Sequence, residues 1–160
     1  MTIGTSTRRA VLTGLLAMGV LGRPQAGLAQ DLPKLRVTKD PSCGCCGAWV
    51  DHMRAAGFPV EVVDVPDINR VKVHLGVPQA LASCHTAEVG GYVVEGHVPA
   101  AEVKRLLAEK PEGRGLAVPG MPMGSPGMEM DGMAPDTYEV VLFASAGQRT
   151  FARYEGARAL

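Results

Sequence analysis

The sequence predicts an α/β domain, a β-sheet flanked by helices, and three observations point to it. Short β-branched runs alternate with apolar stripes at helical spacing. A cysteine cluster, Cys43-Gly44-Cys45-Cys46, sits where the first strand runs into the first helix. Near the end, a segment rich in Met, Gly and Pro is followed by a hairpin pattern.

Each element has a local reason. Residues 34–38 alternate as a strand and enter a turn at Asp40-Pro41-Ser42. Residues 46–56 read as a helix ended by Gly57, with Cys46, Trp49, Val50, Met53 and Ala56 on its apolar face and Asp51, His52 and Arg54 pointing away. Residues 58–65 form a second β-branched strand closed by Pro66. Asp67 caps a helix over Ile68–Leu75 that Gly76 terminates. Residues 83–89 and Tyr92–Glu95 are strands joined at Gly90-Gly91, a hairpin signal. Pro99, at a first helical position, opens Ala100–Glu109, whose inward stripe is Val103, Leu106 and Leu107. The order strand, helix, strand, helix, strand, strand, helix, with cysteines after the first strand, is the thioredoxin/glutaredoxin-like arrangement.

Across residues 113–135 a Pro-Gly-Met-x-Met unit occurs twice, at Pro119 and again at Pro126, with Met133 beyond. Prolines and glycines exclude a helix or a regular strand there, so the segment is expected as a Met/Gly/Pro-rich loop. Residues 138–144 and 149–154 then form a C-terminal β-hairpin about Ser145-Ala146-Gly147, either extending the sheet or packing beside it.

The N-terminus carries an address. Arg8-Arg9 in a twin-arginine pattern, the apolar stretch 11–21 and Gly27-Leu28-Ala29 compose an export signal over residues 1–29, leaving a single domain over 31–160. The apolar stretch is shorter than the roughly 20 residues of a membrane span, so no stable membrane insertion is expected after processing. Removing the signal takes away Arg8, Arg9 and Arg23, so 16 basic against 16 acidic residues become 13 against 16. That balance gives no basic surface for nucleic acid. The expected location is the periplasm, reached by the twin-arginine route.

Four cysteines in an exported chain first suggest disulfides. Cys43–Cys46 and Cys45–Cys84 bridges are geometrically possible. Adjacent Cys45 and Cys46 cannot pair without strain, however, and a structural staple gains most by closing long loops. Dithiol exchange needs only two thiols. A soft metal makes use of a third, because Cu(I) accepts few, soft ligands with little geometric demand. One tetrahedral zinc ion is poorly served by two adjacent cysteines. The N-terminus of the helix favours thiolate, which is both nucleophile and metal ligand.

Cys84-His85 opens the third strand, which runs beside the first, so Cys84 is expected near the cluster as a fourth thiolate and His85 as a nitrogen ligand. His97, after Glu95-Gly96, either reaches the site or caps the next helix. Five methionines within residues 121–133 supply thioethers, which suit Cu(I) and not zinc, with Met121, Met123 and Met128 ahead of Met130 and Met133. His52 and His74 read as solvated, and Asp64, Asp67 and Glu95 show no pairing suited to acid–base hydrolysis. The chain has neither a phosphate-binding glycine loop nor a Ser-His-Asp pattern.

With Cys43-Gly44-Cys45-Cys46-Gly47, Ser83-Cys84-His85-Thr86, Gly96-His97-Val98-Pro99 and the run from Gly115 to Pro122 in this order, the chain resembles the CopG-type copper resistance proteins over residues 34–155. That family comprises exported bacterial proteins long classed as a domain of unknown function. The resemblance implies a thioredoxin-like fold, a thiolate-bridged copper cluster and a place among other periplasmic copper-handling proteins. It implies Cys43, Cys45, Cys46 and Cys84 as ligands, with His85, His97 and the methionines beside them. The function expected is Cu(I) binding for copper resistance. The alternative is a thiol–disulfide or copper-redox oxidoreductase on the same scaffold.

Overall fold

The structure, a computed structural model, describes residues 1, 2 and 31–160. The expected export signal falls almost wholly on residues 3–30 and so lies outside the described residues. In chain order the elements are β1 (Leu35–Lys39), α1 (Gly44–Ala55), β2 (Val60–Asp64), α2 (Ile68–Leu75), a short 3-10 turn (Gln79–Leu81), β3 (His85–Val89), β4 (Tyr92–Glu95), α3 (Ala100–Glu109), β5 (Gly115–Ala117), β6 (Thr137–Ala144), β7 (Gly147–Glu155) and β8 (Arg158–Ala159). The strands form one mixed sheet in the order β2-β1-β3-β4-β5-β6-β7-β8. β1 pairs parallel with β2 and β4 with β5, and the remaining neighbours are antiparallel.

Helix α1 begins before the first apolar residue of its stripe. Asp40 Oδ1 accepts both the N–H and the hydroxyl of Ser42, and Asp40 O accepts the Cys43 N–H. That turn brings the chain straight into the helix, with Cys43 as its N-cap. Asp67 caps α2 by accepting the Asn69 N–H, and Gly76 ends it in the left-handed conformation. Pro99 is the N-cap of α3 rather than its first helical residue.

One expectation fails within residues 113–135, where Gly115–Ala117 is a regular strand between β4 and β6. The glycine that suggests a loop is what permits the strand. A Cβ on Gly115 would lie 1.8 Å from Val93 O, so only glycine allows this approach. Because β5 is internal to the sheet, the C-terminal hairpin β6–β7 extends the sheet instead of packing beside it.

The sheet buries apolar side chains on both faces. One face carries Leu35, Val37, Ala87, Val89, Val94, Leu116, Val140 and Leu142 against Trp49, Val50 and Met53 of α1 and Val103 and Leu106 of α3. Their chain neighbours Val93, Ala117 and Phe143 turn to the other face, with Leu75 of α2, Val77 and Leu81. No helix among the described residues is long and apolar enough to cross a membrane.

Candidate metal centre

Three segments converge at the N-terminus of α1. Pairing of β3 antiparallel to β1 sets His85 opposite Lys39, so Cys84 lies beside the turn that carries the first three cysteines. The β3–β4 hairpin returns the chain, and the Gly96 N–H donates to His85 O at 3.0 Å, which holds His97 alongside. Gly96 allows this closure, since a Cβ there would meet Ser83 Oγ at 2.5 Å and Val118 O at 2.6 Å. The N-terminus of α1 has no side-chain cap hydrogen bond and no acidic residue in its first turn. Its partial positive charge is therefore left for the sulfur atoms of Cys45 and Cys46.

The sulfur atoms form a chain of contacts. Cys43 and Cys46 are joined as a disulfide, while Cys45 and Cys84 are free. Cys45 Sγ lies 3.6 Å from Cys43 Sγ and 3.9 Å from Cys84 Sγ. Cys84 Sγ in turn lies 3.1 Å from His97 Nε2 and 3.4 Å from His85 Nδ1. The ligand atoms of Cys43, Cys45, Cys46 and Cys84 lie within 4.8 Å of one another, and so do those of Cys84, His85 and His97. The structure thus gathers all six cysteine and histidine candidates into two adjoining groups that share Cys84.

Both histidines are fully buried, on the face of the sheet that packs against α1. Trp49 covers His85 with ring centroids 4.4 Å apart. Burial, then the neighbouring His97 and Lys72, holds the pKa of His85 well below its usual value, and burial lowers that of His97. Both rings are consequently neutral and have a lone pair to give. His97 Nδ1 donates to Pro126 O at 2.8 Å, which leaves Nε2 unprotonated and facing Cys84. His85 Nε2 is buried without a hydrogen-bond partner. Burial, reinforced by Cys45, pushes the Cys84 thiol up to about 11. A proton is held there unless a cation replaces it.

Beneath Cys84-His85 lies a buried ion pair that sequence reading missed. Lys72 Nζ meets Glu95 Oε1 at 2.5 Å and Thr86 Oγ1 at 2.9 Å, and Thr86 donates to Glu95 Oε2. Glu95 also accepts the Ser83 N–H. The network thereby ties α2, β3 and β4 to the residue preceding Cys84. A signal was present: Lys72 sits four residues after Ile68 and three before Leu75, on the stripe that faces the sheet. His52 also departs from expectation. It is half-buried, and its Nε2 accepts the Ala100 N–H at the start of α3. His74 is exposed, as expected.

The methionine segment is docked over the site by its backbone. Ser83 Oγ donates to Gly120 O, and His97 reaches Pro126 O. At Gly127 the backbone lies so close to α1 that a Cβ would fall 2.7 Å from Trp49 N and 3.0 Å from Cys45 O. Met123 and Met128 are half-buried. Met121, Met130 and Met133 are exposed, at 53%, 59% and 56%.

A family model described as "Protein of unknown function, DUF411" matches residues 81–128, the stretch from just before Cys84 to Met128. No curated protein matches the chain. Two solved structures of a copper resistance protein CopG, forms 1 and 2, are each 44% identical to it. Form 1 aligns over 78% of this chain and 99% of its own with a TM-score of 0.72, and form 2 over 77% and 98% with 0.73. At that identity and coverage, the chain belongs to the CopG-type copper resistance proteins.

Proposed function

We propose that the chain is an exported periplasmic protein that holds Cu(I), as a thiolate-bridged multinuclear cluster, for copper resistance and homeostasis. The observation that carries this reading is that Cys84 belongs to both donor groups, the four-cysteine set and the Cys84-His85-His97 set. A thiolate shared between two neighbouring sites is suited to bridging two soft ions. The donor chemistry fits: sulfur dominates, both imidazoles are neutral, and the partnerless His85 Nε2 offers a further donor. Copper is cargo here, and loading needs the reduced protein. An external dithiol reductant, itself oxidised to a disulfide, supplies the two electrons and two protons that convert the Cys43–Cys46 disulfide to two thiols, and Cu(I) then displaces the thiol protons.

Residues Cys43, Cys45, Cys46, Cys84, His85 and His97 are the proposed ligands, with the half-buried Met123 and Met128 and the exposed Met121 as the proposed thioethers. The Arg8-Arg9 pattern supports export by the twin-arginine route, and other periplasmic copper-handling proteins are the proposed exchange partners. We read β1 to α3 as a thioredoxin-like scaffold, supported by the order β2-β1-β3-β4 with cysteines at the start of α1. Anaerobic titration of the reduced protein with Cu(I) is expected to fill more than one equivalent, with X-ray absorption showing a sulfur shell and a minor nitrogen shell. A stoichiometry below one would sink the proposal.

A second reading, thiol–disulfide or copper-redox exchange, is favoured by one observation: the C-x-x-C pair is closed as a disulfide at a helix N-terminus, with Cys45 3.6 Å from Cys43. Insulin reduction by the metal-free protein, absent from a Cys43→Ser control, would support it. No turnover above that control would count against it.

A further inference from the structure

The exposed end of the methionine loop has a geometry that the buried centre does not use. The loop leaves and rejoins the body at one point, where the Met123 N–H donates to Asp136 Oδ2 at 2.8 Å and the Asp136 N–H to Met123 O at 2.9 Å. Its first half, through Pro126 and Gly127, is fastened to His97 and α1. Its second half turns outward. The Met133 N–H donates to Met130 O at 3.2 Å, closing a four-residue turn with Gly132 in the left-handed conformation at φ 77°. Residues 129 to 137 are all exposed.

A turn closed in this way brings its first and fourth residues within about 7 Å at Cα, and here both are methionine. The turn itself needs only the glycine. Two long, flexible thioether side chains at its corners have no core to fill, since both are more than half exposed. Carboxylates flank the pair at Glu129 and Asp131, so the local field attracts a cation. Neutral sulfur pairs select a soft monovalent ion over zinc, calcium or magnesium, and they need no proton to leave.

We propose that Met130 and Met133 form a second, thioether-only site for Cu(I), separate from the cysteine–histidine centre, that captures the ion at the surface and loads that centre. The loading role rests on the copper reading above, whereas capture by the methionine pair does not. Binding is weak and fast by construction, because two neutral donors at an exposed turn hold Cu(I) less tightly than thiolates. The ion therefore passes inward without a competing trap, along a loop whose half-buried Met128 lies next to the segment touching His97.

The test uses the reduced protein labelled with [methyl-13C]methionine, titrated anaerobically with acetonitrile-stabilised Cu(I) beyond the point at which thiolate-to-copper absorption saturates. Met130 and Met133 methyl resonances should move together in the later phase, and Met130→Leu should abolish the Met133 shift. In the double variant Met130→Leu/Met133→Leu the centre should fill several-fold more slowly to the same final absorbance. Methyls that stay fixed or move independently would overturn the site, and an unchanged filling rate would overturn its loading role. If the cysteines take up no copper, the cluster reading fails, while the methyl shifts still decide whether the methionine pair binds.

Discussion

Cys84 Sγ lies 3.1 Å from His97 Nε2, while the other nitrogen of that ring, Nδ1, is fixed by donating to Pro126 O at 2.8 Å. A residue of the outer loop thus decides which nitrogen of a buried histidine faces a cysteine shared by two donor groups. The loop, the β4–α3 connection and the segment before β3 are coupled through one imidazole.

Cys84→Ser is expected to be more damaging than the loss of any single cysteine of the α1 cluster, because it removes a donor from both groups at once. Cu(I) stoichiometry should fall by more than one equivalent, and the nitrogen shell in X-ray absorption should weaken together with the sulfur shell. A loss confined to sulfur, equal to that of Cys43→Ser, would show that Cys84 does not bridge.

The Lys72–Glu95 pair sits at 5% and 0% side-chain exposure. Lys72→Met alone strands a buried carboxylate and should destabilise the apo protein by about 3–5 kcal/mol in urea unfolding. Adding Glu95→Leu should restore most of that stability, since an apolar pair tolerates this environment. The Ser83 N–H loses its acceptor only in the double variant, so copper stoichiometry should fall there although the fold recovers. Full stoichiometry in the double variant would mean that the pair stabilises the core without positioning Cys84.

Gly127 and Gly120 make a matched comparison. Both have positive φ, 85° and 69°, but a Cβ on Gly127 strikes the α1 backbone whereas one on Gly120 meets nothing within 4 Å. Gly120→Ala should show backbone strain of about 1 kcal/mol. Gly127→Ala should add loop displacement, seen as faster amide exchange over residues 120–135 and faster copper loss to a chelator. Equal effects from the two would mean that contact of the loop with α1 is incidental.

Acid should destabilise the apo protein. Burial is the leading cause that lowers the pKa of His52, His85 and His97 below their usual value of 6.5. The unfolded chain therefore binds more protons than the folded one as pH falls through that value, so stability is present above about pH 6.5 and lost below it. Each histidine contributes a slope of at most about 1.4 kcal/mol per pH unit. Urea unfolding at pH 7.5 and 5.5 should show the loss, and His52→Gln, which keeps an acceptor for the Ala100 N–H, should make it shallower. A flat profile would contradict the assignment of neutral buried rings.

Much of the fold was legible because its signals are local. The helix Ile68–Leu75 announced itself by Asp67 at one end and Gly76 at the other, and β4 by its β-branched run after Gly90-Gly91. What escaped was β5. Its glycine reads as a loop residue until Val93 is known to lie against it, which is a relation between residues far apart in the chain. Glu95 escaped for the same reason, since a carboxylate at a strand end looks solvated until Lys72 is placed above it.

The sequence by itself determined the kind of chemistry: three thiols in four residues, a Cys-His pair, and thioethers repeated among prolines and glycines specify soft-ligand character whatever their arrangement. It also carried the element order that brings Cys84 beside the cluster. Only the tertiary structure decided that Cys84 is common to two donor groups, that His97 turns Nε2 inward, and that the methionines divide into half-buried and exposed sets. The physical reason is range. Residue type and helical or strand period act over a few positions, whereas sharing a ligand or orienting a ring depends on backbone approaches such as Gly96 to Ser83 and Gly127 to α1, which the folded chain alone creates.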